Sequence, residues 1–355
     1  MMIADRLDRY IARHVLGAIL VVQVVLLGLD MTITYINDLG DVKGDYGALQ
    51  VLIYLCMRLP WRFYQYAPVG VLIGALIGLG SMASSNELTV MRAAGRSLAR
   101  ILWGVMKPII LVIVAVLLVA EFISPATEQY ATAWRLEKMQ GEGAVLTERG
   151  GWQREGDTYY RFGAIRADDV VLDLTRYRFE GRELREAKSA RRATWRDGGW
   201  VLEDVAITRF EDDRSVATHV DQQPWETQLT PAELNRLLRR LETQAPSELW
   251  AHARYLQSQG QAATQPLLYF WQKMLMPLTM GSLVLVAASF VFGPLRTVAA
   301  GTRVFYGVVT GLLFKYLQDL LGPASTVFGF SPAWAVLAPT LICAAVGFYM
   351  LRRSG

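Results

Sequence analysis

Several stretches of this chain are so continuously apolar that they need a hydrocarbon environment, and that requirement sets the rest of the architecture. A helix rises about 1.5 Å per residue, so crossing a hydrocarbon core of ~30 Å takes about 20 predominantly apolar residues. Val15 to Ile36, Ile101 to Ile123, Pro266 to Phe292 and Pro332 to Leu351 meet that length, and Ala67 to Ala83 and Val304 to Leu321 are slightly shorter runs of the same kind. Six crossings are therefore expected, with both termini on one side. Hydrophobic residues make up 53% of the 355, which excludes a disordered chain. Asp5, Arg6, Asp8, Arg9 and Arg13 precede the first run, which lacks a small-residue cleavage pattern, so it is expected to stay attached as an anchor.

The segments between the runs carry the organisation. Tyr46 to Leu59 reads as a helix lying at the interface, followed by Trp61, Phe63, Tyr64 and Tyr66, ring types that favour the headgroup level. Gly70, Gly74 and Gly78 repeat every fourth residue on one helix face, the small-residue pattern that lets two backbones approach, most simply within the same chain. Ser84 to Ser97 reads as a short amphipathic helix with a polar start, an early acid at Glu87 and a Gly95 stop. Its Leu88, Met91 and Arg92 share one face.

Residues 125–265 change character, becoming charged and turn-rich. Strand-like runs at Thr158–Phe162, Val170–Leu174 and Trp200–Ile207, with Asp197-Gly198-Gly199 as a hairpin signal, predict a β domain inserted after the third crossing. Thr230-Pro231-Ala232-Glu233 reads as a helix start, and Glu248 to Gln257 as a short helix. Three units follow: 1–124, 125–265 and 266–355. Arg6, Arg9, Arg13, Arg92, Arg96, Arg100, Arg296, Arg303, Arg352 and Arg353 all fall on one side of a six-crossing chain. Basic residues concentrate on the cytoplasmic side of membrane proteins, so the termini and the short helix are expected there and the β domain outside.

Enzyme signatures are missing from the sequence. It has no Gly-Lys dipeptide and hence no phosphate-binding P-loop, and no His-Glu-x-x-His or Gly-x-Ser-x-Gly pattern. His14, His219 and His252 are scattered, so no metal or other cofactor is expected on this chain. Cys56 and Cys343 give no disulfide framework, and the net charge of +4 is explained by membrane topology rather than by a nucleic-acid partner. The informative residues are the ionisable ones inside apolar runs, because a charge at the bilayer centre costs at least about 2.5 kcal/mol and must face a partner or a wet cavity. Lys315, Asp319 and Asp30 are in that position. Lys315 either pairs with Asp319 or Asp30 or contacts an anionic ligand, and these roles are compatible.

Three features together resemble a known family. The six runs with a β insert, the segment Ser85-Asn86-Glu87-Leu88-Thr89-Val90-Met91-Arg92-Ala93-Ala94-Gly95, and the loop Phe292-Gly293-Pro294-Leu295-Arg296-Thr297-Val298-Ala299-Ala300-Gly301-Thr302-Arg303 are similar to the LptF/LptG permeases of lipopolysaccharide export. The opening Leu7-Asp8-Arg9-Tyr10 adds to the likeness. The resemblance implies an α-helical membrane protein with a β-jellyroll-like periplasmic domain in the inner membrane. It implies one half of a heterodimer, here paired with LptF, that binds a dimer of the ATPase LptB together with LptC. Through LptA it hands lipopolysaccharide to a periplasmic bridge. ATP and Mg²⁺ would belong to LptB. Glu87, Leu88, Met91 and Arg92 would dock on the ATPase. Lys315, Arg135, Lys43, Thr34 and Asp30 would stand at the substrate, with Thr34 and Thr132 replacing basic residues found in relatives, which shifts weight to Lys315. Other readings are the LptF-like paralogue, another lipid or lipoprotein ABC permease, and a membrane scaffold that recruits partners without transport.

Overall fold

The computed structural model describes residues 2–140, 145–147, 151–166, 170–196, 198–211, 214–227, 230–231, 234, 239–293 and 298–354. The loop residue Arg296, and Ala232 and Glu233 of the expected helix start, lie outside the described residues. Helix α1 (Met2–Asp38) is followed by α2 (Ala48–Met57) and α3 (Leu59–Ser84), then the short α4 (Glu87–Ala93). Next come α5 (Leu98–Leu118) and α6 (Ser124–Gln140), joined without a gap by a π-helical turn at Val119–Ile123. After the strands come α7 (Pro246–Ser258), α8 (Thr264–Met274), α9 (Met276–Phe292), α10 (Ala300–Phe328) and α11 (Pro332–Ser354).

Four helical stretches are long and apolar enough to cross a membrane: Arg6–Asp41, Leu59–Ser84, Leu98–Met139 and Pro332–Arg353. The α8–α9 pair, bent by 53° at Leu275, makes a fifth. Helix α10, where another crossing is expected, has 29 residues but falls outside this set among the described residues. The helices also run further than hydropathy alone suggests. The aromatic cluster beginning at Trp61 belongs to the first turns of α3, and the helix entering at Leu98 continues past the apolar run to Gln140, so strands start only at Val145. Pro125 explains the π turn: its ring would clash with the carbonyl four residues earlier, at Glu121, and a widened turn there lets the helix continue.

Contacts fix the helix directions. Gly74 of α3 lies against Ile19 and Gly78 against Val15, so α1 and α3 are antiparallel. Gly307 and Gly311 of α10 meet Leu76 and Leu72 of the same α3 from another side. Thr279 hydrogen-bonds Thr340 at 3.1 Å and Gly347 packs on Leu285 and Val286, so α9 and α11 run parallel. The shared core of α1, α3, α5 and α9 contains Ile11, Val15, Leu72, Leu76, Ile109 and Leu283. Outside it, α1 leaves Val21 and Val24 exposed, and α10 leaves Leu313 and Val327 exposed. The two helices flanking α3 therefore keep open apolar faces.

The strands form one antiparallel sheet. Its strands are β1 (Val145–Thr147), β2 (Gly151–Glu155), β3 (Thr158–Phe162), β4 (Ala164–Arg166), β5 (Val170–Glu180), β6 (Glu183–Arg196), β7 (Gly199–Glu211) and β8 (Arg214–Trp225). The order is β1-β4-β5-β6-β7-β8, with β2 attached through β3 to β5. Pairing of Arg196 with Gly199 places the β6–β7 turn where the sequence indicates, and Gly198 holds it at φ +80°, a conformation glycine adopts at no steric cost. One face buries Tyr160, Phe162, Trp200 and Trp225 and is closed by Leu234 and by Tyr255 of α7.

A Cβ at Gly74 would sit 2.5 Å from the Ile19 Cα, an impossible approach to backbone, whereas a Cβ at Gly28 meets nothing within 4 Å. Gly74→Ala should cost about 1–3 kcal/mol, seen as a lowered Tm of the detergent-solubilised chain, with Gly28→Ala unchanged or slightly raised. Equal melting of the two variants would show that α1 and α3 are not held by this contact.

Candidate functional site

Two sets of charged residues occupy the sheet side of the helices. The first joins α1, the α2–α3 junction and α6. Arg58 donates to Glu128 at 2.8 Å with both side chains nearly buried. Asp30 accepts from Arg62 at 3.1 Å and from the Tyr66 hydroxyl at 2.7 Å. Arg135 donates to Asp41 at 2.8 Å and lies 4.9 Å from the centre of the Tyr54 ring. Asp30 thus takes Arg62 as its partner, correcting the Lys315 alternative, because the first turn of α3 delivers a guanidinium to α1 whereas Lys315 has a carboxylate on its own helix. Lys43 is exposed in a tight turn held by backbone bonds with Tyr46, and Thr34 is half-buried on α1.

The second set lines a cavity of about 860 Å³ between α3, α8 and α10, roofed by residues 240–242. Lys315 and Asp319 pair at 3.0 Å across one turn of α10 and are both half-exposed. Lys273 of α8 is 2% exposed. Its ammonium donates to the Gln244 carbonyl at 2.5 Å and sits 5.2 Å from the centre of the Tyr64 ring. Arg240 pairs with Glu242 in the roof. No hydrogen bond or ion pair joins Lys315 to Arg135 or Asp30 among the described residues, so the expected substrate positions fall into two separate systems. Sequence reasoning missed Lys273. The signal was present, since an ammonium inside the apolar run from Pro266 carries the same cost as Lys315.

At the opposite end, α4 packs back on the bundle. Leu88 (3% exposed) and Met91 (8%) belong to the chain's own core. This corrects their expected role as apolar contacts for an outside protein: the i, i+3 face they share is the one the bundle covers. The outward surface is Val90, 65% exposed, with Thr89 and Arg92. A groove of about 270 Å³ runs between Leu88, Arg92 and Ala93 on one side and Val291 and Phe292 of α9 on the other. Glu87 accepts from the Ser85 hydroxyl at 2.9 Å. Asp8 of α1 accepts from Lys107 at 2.6 Å and from Arg96, tying the start of α1 to the α4–α5 connection.

The sequence matches the family model described as lipopolysaccharide export system permease LptF/LptG over residues 9–353. It is 31% identical to the lipopolysaccharide export system permease protein LptG of Haemophilus influenzae, over 98% of this chain and 99% of that protein. It is 29% identical to the protein of the same name from Escherichia coli K12, over 98% of each chain.

Removing one member of a buried ion pair strands the other charge, so Arg58→Met should destabilise the chain by about 3–5 kcal/mol, while Arg58→Met combined with Glu128→Met should recover most of that loss. A double-mutant cycle on thermal unfolding in detergent measures it, and additive losses would mean that the two side chains do not stabilise each other.

Proposed function

Because the chain belongs to the LptF/LptG family of lipopolysaccharide export permeases, we propose that it works as the LptG-type permease subunit, extracting lipopolysaccharide from the outer leaflet of the inner membrane. The family match across residues 9–353 carries this reading. In it the chain crosses the membrane six times, α10 included. The termini and α4 lie in the cytoplasm and the sheet in the periplasm, following the asymmetry of the arginines. The units are the helices of 1–124, a jellyroll-like domain with its linking helices in 125–265, and the helices of 266–355. The open apolar flanks of α1 and α10 face LptF and the lipid chains, which suits helices whose Val24 and Leu313 are exposed.

The chain lacks a phosphate loop, so the work comes from ATP and Mg²⁺ held by an LptB dimer. LptB engages α4 through Val90 and Arg92, with Glu87 at the start of the helix. Leu88 and Met91 act from behind, transmitting displacement of α4 into the core they pack in. LptC sits beside this subunit and LptA continues the periplasmic path. Lys315 and Lys43, both exposed, meet substrate phosphates, and Arg135 joins them by exchanging Asp41 for a phosphate. Thr34 and Asp30 border the same path along α1.

Glu87→Lys, and Val90→Asp with Arg92→Glu, should lower ATPase retention on the purified complex about tenfold, equivalent to about 1.4 kcal/mol. Full retention with normal transport would remove α4 from the coupling role. In separate preparations, Lys315→Ala should weaken photocrosslinking of lipopolysaccharide to the assembled complex while leaving subunit composition unchanged. Undiminished crosslinking would dismiss Lys315 as a substrate contact.

A further inference from the structure

The chain leaves α4 through a glycine-terminated turn whose geometry fixes the residue after it. Gly95 stands at φ +83°, its N–H bonds the Arg92 carbonyl at 3.0 Å, and the next N–H, that of Arg96, bonds the Met91 carbonyl at 3.1 Å. These are the paired bonds of a Schellman cap, which ties both residues to the last turn of the helix. Arg96 therefore moves with α4, although it lies outside it. Helix α5 starts just beyond, with the Ser97 hydroxyl accepting from the Arg100 backbone N–H.

From this fixed position the Arg96 guanidinium reaches into the bundle and pairs with Asp8 of α1. Asp8 is 9% exposed, and its two oxygens serve different elements: Oδ1 accepts from Arg96, and Oδ2 from the Lys107 ammonium of α5 at 2.6 Å. Two cations flank the one carboxylate, so its charge is paired where water is excluded. Helices α1 and α5 are close at this level, since a Cβ at Gly104 of α5 would stand 3.9 Å from the Asp8 Cα. The Tyr10 hydroxyl of α1 lies beside Glu87, in the first turn of α4. The start of α1 thus meets α4 at its beginning and just past its end.

Helix α1 runs unbroken and without a proline from Met2 to Asp38. At about 1.5 Å per residue its 37 residues span ~55 Å. Its far half leaves an apolar face open at Val24 and Ile33 and carries Asp30 and Asp38, which pair with Arg62 and Arg135. We propose that Asp8 is a positioning residue for transport, a role that rests on α4 being the point where the ATPase acts. By holding Arg96, Asp8 makes α1 follow α4. Force delivered to α4 then reaches the open face of α1 directly, as well as through the core in which Leu88 and Met91 are packed.

In the assembled complex reconstituted in proteoliposomes, Asp8→Asn should keep subunit composition and ATP hydrolysis, while lipopolysaccharide released to an acceptor per ATP falls about tenfold, inside the ~5–150-fold span of coupling between sites. Asp8→Glu should restore that ratio, because the long arms of Arg96 and Lys107 can retract to meet the longer acid. Arg96→Gln cuts the same link and leaves Asp8 its Lys107 partner, so it should show the same fall, and it decides the matter if Asp8→Asn does not assemble. An unchanged ratio in both variants, hydrolysis and release falling together, or a loss in Asp8→Glu equal to that in Asp8→Asn would overturn the role. If α4 is not where the ATPase acts, Val90→Asp with Arg92→Glu will keep the ATPase and normal transport, and the Asp8 role falls with it. Those two variants defective beside a normal Asp8→Asn would instead overturn the Asp8 role alone.

Discussion

Hydrocarbon offers no water to an exposed peptide group or an isolated charge, and most of the arrangement described above follows from that condition. Backbone groups must be satisfied within each segment, so the apolar runs are helices, and the α5–α6 stretch passes a proline by widening one turn rather than by breaking. Side-chain charges obey the same condition. Asp30, Glu128 and Asp319 each have a cationic partner within 3.1 Å. Lys273 has a carbonyl and a ring as its close partners, and Glu121 the hydroxyl and backbone N–H of Ser247.

With no hydrophobic drive between helices in lipid, association depends on close fit. Helix α3 supplies it. Its glycines at 74 and 78 admit α1 to backbone contact, Gly70 faces the Gln23 side chain, and α10 uses Gly307 and Gly311 to approach the leucines of α3 from another side. With those contact strips so narrow, α1, which also packs on α5, and α10, which also packs on α11, keep Val21, Val24, Leu313 and Val327 exposed.

The sheet is joined to the helices by more than chain connection. Helix α6 continues α5 without a break, and Glu121 in the π turn accepts from the Ser247 hydroxyl and backbone N–H at the start of α7. Lys273 reaches the Gln244 carbonyl just ahead of that helix. Two polar links thus gather the returning linker onto the helical bundle at the level where α8 and α9 bend. Helix α4 packs on α3, whose other end meets this junction.

Much of this protein was legible in residue order alone. Apolar run length identified helices, Gly198 located the β6–β7 turn, and the segment from Ser85 together with the loop from Phe292 pointed to the family, since these depend on local chemistry and on short-range motifs. Run length did not locate helix ends, because a helix stops where its backbone bonds stop, and at 98–140 that is well beyond the apolar boundary. Partner choice was likewise hidden. Spacing put Leu88 and Met91 on one face without saying whether that face was covered, and it offered Asp30 to Lys315 with no sign of Arg62. Only tertiary packing settled these points: α1 against α3 brought residues 32 positions apart within hydrogen-bond reach, and α4 against α3 turned one side of α4 into the core. The setting of Lys273 is likewise a tertiary fact: sequence shows an ammonium in an apolar run, and only the fold shows that its close partners are the Gln244 carbonyl and the Tyr64 ring.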